Sequence, residues 1–359
     1  MTKSLPLPEP SAGLEAYAAE RQLRLAIDAR CARNYQRAYE AKGRRCAEVD
    51  YLPTKLDIEN VSRCNFMCTM CAVSTWKKGK RAADMSVECF KRLIDEQYGL
   101  VEIKLNGLGE ALMQGDDYFE MIRYARAKHI WVRMTTNGSL LHVRDNYRKL
   151  VDSGVNEIDI SIDGADAATF ESIRVQSDFK KVVENCKALN AYCREQGVVR
   201  AKSWTLVQKK NMRGDVLGLL RIVRLVSDLG FKQHVFSVSL HDWANPLLQQ
   251  SNADARVVLH QEQTDLLVEH GQRYGVRVAF WDVAEKFTYT NPCPWPFERA
   301  VVTSDSRTVP CCMIGDPDQF ELGKGLGFAE VWRSDEYKAF RQSHIDGRIP
   351  QVCKGCYRG

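Results

Sequence analysis

The chain has 359 residues, 45% hydrophobic and 27% charged, with 51 basic against 46 acidic side chains and a formal net charge of +5. That is apolar material for one large barrel-like domain with an appendage, or for two ordinary domains, and it excludes wholesale disorder. The basic excess is dispersed, no apolar run reaches membrane-spanning length and the first residues carry no signal-peptide core, so the reading is a soluble cytoplasmic protein that engages neither membrane nor nucleic acid.

Residues 1–13 read as a flexible leader rich in Pro and Ser, and 14–48, free of Pro and Gly until Gly43, as a helical extension of one or two helices. From residue 54 strands and helices alternate. The strands are KLDIEN, VEIKLNG, IWVRMTTNG, EIDISIDG, VRAKSWTLV and KQHVFSVSL. Helices are predicted between them over Ser86–Tyr98, Tyr118–Lys128, Val143–Ser153, Phe179–Gln196 and Asp215–Leu229. Ser86 and Asp215, each ahead of an apolar run, are helix-start signals. Apolar strands alternating with helices imply a parallel sheet with helices outside it. Six such units suit a partial barrel that stops short of the eight of a closed one. HDWANPLLQQSNAD is predicted to be a loop, followed by a helix over Ala255–Tyr274 and a short strand, VRVAF. From about Asn291, Pro, Cys, Trp and short hairpin-like pieces mark a small terminal module that includes a hydrophobic helix around Phe328–Phe340. The expected fold class is α/β: a partial (β/α)6 TIM-like barrel over 51–240, an N-terminal helical extension over 1–50, a barrel-closing helix and linker over 241–290 and a C-terminal module over 291–359.

Thirteen cysteines in a chain without an export signal argue against a disulfide framework. Cys31, Cys46, Cys89, Cys186 and Cys193 sit singly in helix-like stretches and read as small buried hydrophobes or exposed thiols. Two groups have ligand spacing. In LDIENVSRCNFMCTMCAV, Cys64, Cys68 and Cys71 follow the first strand as CxxxCxxC. Three thiolates on one loop can ligate three irons of a four-iron cluster and leave the fourth iron open. Zinc would want a fourth ligand close by, and none stands there. The loop leaves the C-terminal end of a strand, where parallel α/β folds place their chemistry.

These residues resemble the radical S-adenosylmethionine (SAM) superfamily over roughly residues 53–240. The resemblance implies a SAM-binding [4Fe-4S] cluster on Cys64, Cys68 and Cys71, with Met70 where the family usually has an aromatic residue. LNGLGEALMQ after the second strand resembles the family's Gly-Gly-Glu region: Gly107 and Gly109 would let the backbone approach the cofactor and Glu110 would accept from the SAM amino group. Thr136 and Asn137 in TTNG, Ser161 and Asp163 after the fourth strand, Arg174, and Thr205 with Asn211 near the fifth are the other implied cofactor contacts. Ser161 and Asp163 taken alone are ordinary turn or cap residues.

In the tail, Cys293, Cys311 or Cys312, Cys353 and Cys356 supply a second set of ligands, and a structural zinc ribbon fits their spacing too. The segment resembles the SPASM and shorter twitch modules that hold auxiliary four-iron clusters. That resemblance selects Cys311 over Cys312 and one auxiliary cluster, and it puts Ser306 where those modules have Gly. The layout is closest to the twitch module of dehydrogenases acting on 2-deoxy-scyllo-inosamine. Four cysteine ligands leave no open iron, so such a cluster would carry electrons.

The reaction expected from this resemblance is oxidation of a secondary alcohol of a sugar or cyclitol to a ketone, with a flavodoxin- or ferredoxin-type reductant as partner. The alternatives are a radical epimerase with Cys312 returning the hydrogen atom, modification of a ribosomal peptide, and a non-enzymatic iron–sulfur scaffold. His241, Asp242 and Trp243 follow the sixth strand and are candidates for binding substrate or deprotonating a hydroxyl, or simply for capping a loop.

Overall fold

The computed structural model describes residues 5–77, 81, 84–242, 245–282, 286–325 and 327–358. Its strands are β1 (Lys55–Ile58), β2 (Glu102–Leu105), β3 (Trp131–Thr136), β4 (Glu157–Ser161), β5 (Ala201–Leu206), β6 (Gln233–Ser237), β7 (Arg277–Trp281), β8 (Arg299–Val302), β9 (Arg307–Val309) and β10 (Gly323–Lys324). All six strands read from the sequence are present, and VRVAF is β7. By its internal contacts the chain forms two compact units, Met1–Leu14 with Cys64–Trp76 and Met134–Asp282, and Glu15–Arg63 with Lys77–Arg133 and Val283–Gly359.

In the first unit β4, β5, β6 and β7 run parallel, with Asp159 opposite Lys202, Trp204 opposite Val235, and Ser237 opposite Trp281. Helices Phe179–Glu195 and Leu217–Asp228 bury Val182, Leu189, Leu219, Ile222 and Val226. The residues expected to be a flexible leader are tied down here beyond residue 5. Phe280 N–H donates to the Pro6 carbonyl at 2.8 Å and Arg277 pairs with Glu9 at 2.7 Å. The buried Lys202 ammonium, already paired with Glu157, takes the Glu9 carbonyl at 2.9 Å as a further acceptor. The expected loop at 241–254 also differs. Pro246–Ala255 is a helix, with Asn245 capping Leu247 N–H and Pro246 in the first turn, where its missing N–H costs nothing. The following helix begins only at Gln261.

In the second unit β8, β1, β2 and β3 run parallel, with Lys55 opposite both Glu102 and Arg299, and Asp57 opposite Lys104. β9 returns antiparallel to β8, and β10 to β9. Leu56, Ile58, Ile103, Leu105, Ala300 and Val302 form one buried apolar face. Lys55, Asp57, Glu102, Lys104 and Arg299 alternate with them on the other. The N-terminal extension is two helices, Leu14–Ile27 and Ala29–Ala41. Buried Arg24 donates to the Leu100 and Tyr98 carbonyls at 3.0 and 2.8 Å, and Asn34 exchanges hydrogen bonds with the Leu52 backbone. The single helix expected around Phe328–Phe340 is two, Phe328–Arg333 and Asp335–Ile345, because the Ser334 side chain caps the second by accepting from Tyr337 N–H. Among the described residues no helix is long and apolar enough to cross a membrane.

Candidate functional site

The CxxxCxxC loop is held in shape by backbone bonds. Met67 N–H donates to Val175 O at 2.9 Å and Thr69 N–H to Ile173 O at 3.0 Å, so the loop lies against the segment that follows β4. Cys71 N–H closes back on Cys68 O at 3.2 Å. Asn137, at the end of β3, donates to Asn65 Oδ1 at 3.0 Å, with Cys64 Sγ 3.9 Å from the same nitrogen, and accepts from Ser139 N–H at 2.9 Å. Its neighbour Thr136 accepts from Gly138 N–H, and Gly138 has a φ of +77°, the reason TTNG ends in glycine.

Asp163 and Arg174 form the electrostatic core of this region. Asp163 is fully buried; it accepts from Arg174 Nε at 2.7 Å and from Leu206 N–H at 2.7 Å. Arg174 in turn stands 3.9 Å from Cys68 Sγ. Burial opposes the guanidinium charge, but Asp163 and the Cys68 and Cys64 sulfurs hold it protonated. Burial lifts the Cys68 and Cys71 thiols, Cys71 to about 11, so these sulfurs become thiolates on binding a metal, with Arg174 supplying positive charge beside Cys68. Asp163→Ala would strand a buried guanidinium and free the Leu206 amide. Urea unfolding followed by circular dichroism should show a loss of about 3–5 kcal/mol; a loss under about 1 kcal/mol would remove Asp163 from this role.

The other sequence candidates fall as follows. Ser161 ends β4, half-buried. Thr205 is buried and its hydroxyl bonds the Ile162 carbonyl, while Asn211 caps its own short helix with bonds to Gln208 N–H and Leu206 O. Met70 is buried, and its carbonyl accepts from Asn252 Nδ2 at 3.3 Å. The same nitrogen donates to the His241 carbonyl at 2.6 Å, and Asn245 donates to Thr75 Oγ1 at 2.8 Å. The unforeseen helix Pro246–Ala255 therefore clamps the cysteine loop through two asparagines that carry no motif. His241 keeps a buried Nε2 without a hydrogen-bond partner among the described residues, and burial lowers its pKa. The Asp242 backbone carbonyl accepts from Asn245 N–H at 2.8 Å, and Trp243 lies outside the described residues.

In the second unit, Gly109 lies against the backbone just ahead of Cys64. A Cβ there would sit 2.4 Å from Arg63 O and 2.7 Å from Val61 O. At Gly107 it would sit 2.1 Å from Glu59 Cγ. Glu110 N–H donates to Arg63 O at 2.9 Å, and its buried carboxylate accepts from Leu112 N–H at 3.3 Å. The glycines thus permit a backbone approach no other residue allows.

The tail cysteines also gather in the second unit. Cys293, Cys353 and Cys312 act on Cys311, and Cys293 and Cys356 act on Cys353. Burial first, then these neighbouring sulfurs, raises the thiols, Cys293 to about 12. Asp57, Lys104 and Arg299 act on Cys312, and burial lifts it to about 11. Cys293 N–H donates to Tyr357 Oη at 2.7 Å, and Tyr357 Oη lies 2.8 Å from His344 Nδ1, which ties the first ligand to the terminal knuckle. Ser306 has a φ of +60° in the β8–β9 turn, the left-handed position that glycine fills at lowest cost. Among the described residues no three His, Cys, Asp or Glu side chains converge on a single-ion site. Cys31, Cys186 and Cys193 are buried in the core, Cys46 is exposed and Cys89 intermediate.

A family model for the radical SAM superfamily matches residues 60–200, and one for an iron–sulfur cluster-binding domain matches residues 293–357. The AdoMet-dependent heme synthase of Nitratidesulfovibrio vulgaris is 33% identical over 347 residues, 88% of this chain and 90% of that protein. The mycofactocin maturase MftC of Mycobacterium tuberculosis is 27% identical over 319 residues, 85% of this chain and 75% of that protein. Against MftC of Mycolicibacterium smegmatis the match spans 45% of this chain and 39% of that protein. Among solved structures, SuiB of Streptococcus suis bound to S-adenosylmethionine superposes with a TM-score of 0.63 at 12% identity, covering 84% of this chain and 70% of SuiB. SuiB has also been solved with its precursor peptide SuiA. At that identity the likeness shows the fold, the partial barrel.

Proposed function

Because the chain belongs to the radical SAM superfamily and carries an iron–sulfur cluster-binding domain besides, we propose that it oxidises a secondary alcohol of a sugar or cyclitol to a ketone. Its cofactors are S-adenosyl-L-methionine and two four-iron clusters. When bound, they supply a 5′-deoxyadenosyl radical that abstracts hydrogen and a one-electron acceptor. Cys64, Cys68 and Cys71 would hold the first cluster, and Cys293, Cys311, Cys353 and Cys356 the second. Of the residues proposed to contact SAM, Gly107, Gly109 and Glu110 belong to the second unit, and Met70, Thr136, Asn137, Ser161, Asp163, Arg174 and Thr205 to the first.

The observation that carries the oxidative reading is the division of labour between Cys311 and Cys312. Cys353 and Cys293 act on Cys311 along with its neighbour Cys312, and Asp57, Lys104 and Arg299 act on Cys312. A cluster with four thiolates has no site for substrate, so its use is to take an electron. The balance closes: the carbinol carbon loses a hydrogen atom, the hydroxyl loses a proton, and the resulting radical loses one electron and becomes the ketone. His241, held neutral by burial with a free Nε2, is the proposed proton acceptor. An electron carrier of flavodoxin or ferredoxin type is the proposed partner.

A second reading, epimerisation, has one observation in its favour: the Cys312 thiol is lifted to about 11 and so keeps the hydrogen that a donor needs. A peptide bearing the reacting carbon is the alternative substrate class, as SuiB takes a precursor peptide. The test is anaerobic turnover of 2-deoxy-scyllo-inosamine and myo-inositol by the reconstituted, reduced enzyme with SAM. A product two hydrogens lighter, with one 5′-deoxyadenosine per product, is expected. Product of unchanged oxidation state, or reaction only with peptides, overturns the proposal.

A further inference from the structure

On the polar face of the second unit's parallel strands, two carboxylates one residue row apart have opposite surroundings. Glu102 is saturated: it accepts from Tyr17 Oη at 2.8 Å and pairs with Lys55 at 2.7 Å, Arg299 at 3.1 Å and Arg133 at 3.4 Å. Asp57, in the next row toward the strand ends, is as deeply buried, 3% exposed, yet its Oδ1 has no hydrogen-bond partner among the described residues. Its one ion pair there is to Arg299 Nε at 3.8 Å, beyond hydrogen-bond length. Arg299 is also committed to Glu102, and it stacks on Trp295 at 4.8 Å.

A buried carboxylate with no donor is costly and calls for one. Lys104 stands directly across from Asp57 in the parallel register, half-buried on the same face. Neighbouring strands lie about 4.8 Å apart, a span that two oxygens on adjacent carbons can bridge, one facing each side chain. Both charges act on Cys312, the residue after the ligand Cys311, so they adjoin the tail cysteines.

We propose that Asp57 and Lys104 form a binding subsite for vicinal oxygens of the substrate, a hydroxyl donating to Asp57 and its neighbour oxygen accepting from Lys104. The substrate class is a polyol or hydroxy acid. The subsite deepens the alcohol-oxidation reading and rests on it for the identity of the ligand. It also explains why two opposite charges in register are left without a mutual hydrogen bond: each is kept for the ligand, and Arg299 stands 3.8 Å behind Asp57.

Isothermal titration of the reconstituted holoenzyme with myo-inositol, and with cyclohexanol as the single-hydroxyl control, tests this. Wild type should bind myo-inositol and not cyclohexanol. Asp57→Asn and Lys104→Met, each checked for full iron content and an unchanged circular dichroism spectrum, should each raise the dissociation constant about tenfold or more, the loss of a charge-assisted hydrogen bond. No binding by wild type, equal binding of cyclohexanol, or unchanged affinity in both folded variants overturns the subsite. Should alcohols be oxidised while both variants bind as wild type does, the subsite fails and the oxidative reading stands. Should myo-inositol bind through both residues and the product keep its oxidation state, the subsite stands and the oxidative reading fails.

Discussion

Replacing Cys64, Cys68 and Cys71 together with Ala should leave about half the iron in the anaerobically reconstituted protein, about four of about eight atoms, and should reduce SAM cleavage to background. Each set of ligands belongs to its own compact unit. Removing one set should therefore spare the other. Buried thiols are poor ligands until a metal takes their protons, so a loop lacking all three sulfurs has no means of keeping iron. Cys186→Ala is the control. That thiol is buried and is pushed up to about 12 by burial alone, so iron and SAM cleavage should be unchanged. A triple variant that keeps all its iron, or tail cysteines that hold zinc, would refute the assignment of the clusters.

What could be read in the sequence follows from how far each signal reaches along the chain. CxxxCxxC, GLGE, TTNG and the β4 end are local patterns after strands, and the strands were legible because apolar residues recur along each at strand spacing. The Cys311 choice rested on the resemblance to the SPASM and twitch modules. Its spacing from the β8–β9 turn is fixed by the hairpin register, and the positive φ of Ser306 marks that turn. The clamp on the cysteine loop was not legible. Asn245 and Asn252 lie about 170 and 180 residues from Thr75 and Met70, and the segment PLLQQSNAD has the polar, Pro-led look of a loop. Only the Asn-Pro start, an N-cap followed by Pro in the first turn, could have signalled a helix. The pairing of β8 with β1 was equally hidden, since a four-residue strand following a Pro-rich stretch gives no sign of its partner. Thr205 shows the converse limit: it was read as a cofactor contact, and its hydroxyl serves the Ile162 carbonyl.

Oxidation and epimerisation part at the step after hydrogen abstraction, and two single substitutions separate them. If the substrate radical is oxidised, the tail cluster is indispensable and the Cys312 thiol is not. Cys353→Ala removes a ligand that faces Cys293 and Cys356; product should fall below detection while 5′-deoxyadenosine still forms, because the CxxxCxxC loop lies in the other unit. Cys312→Ala should still give product, since the proposed ligands are Cys293, Cys311, Cys353 and Cys356, and Asp57 and Lys104 act on Cys312. Under epimerisation the dependence on Cys312 reverses. The radical must regain a hydrogen atom, and a thiol kept protonated by burial is a competent source, so Cys312→Ala would consume SAM without turnover. Mass spectrometry of product formed in heavy water reads the same difference directly. A thiol exchanges its hydrogen with solvent, so an epimerised product gains one deuterium at unchanged oxidation state, whereas an oxidised product loses two hydrogens and gains no deuterium at the reacting carbon. The oxidative reading requires the second result together with a dead Cys353→Ala and a live Cys312→Ala. The first result, or a dead Cys312→Ala with intact iron, assigns the hydrogen-donor role to Cys312 instead.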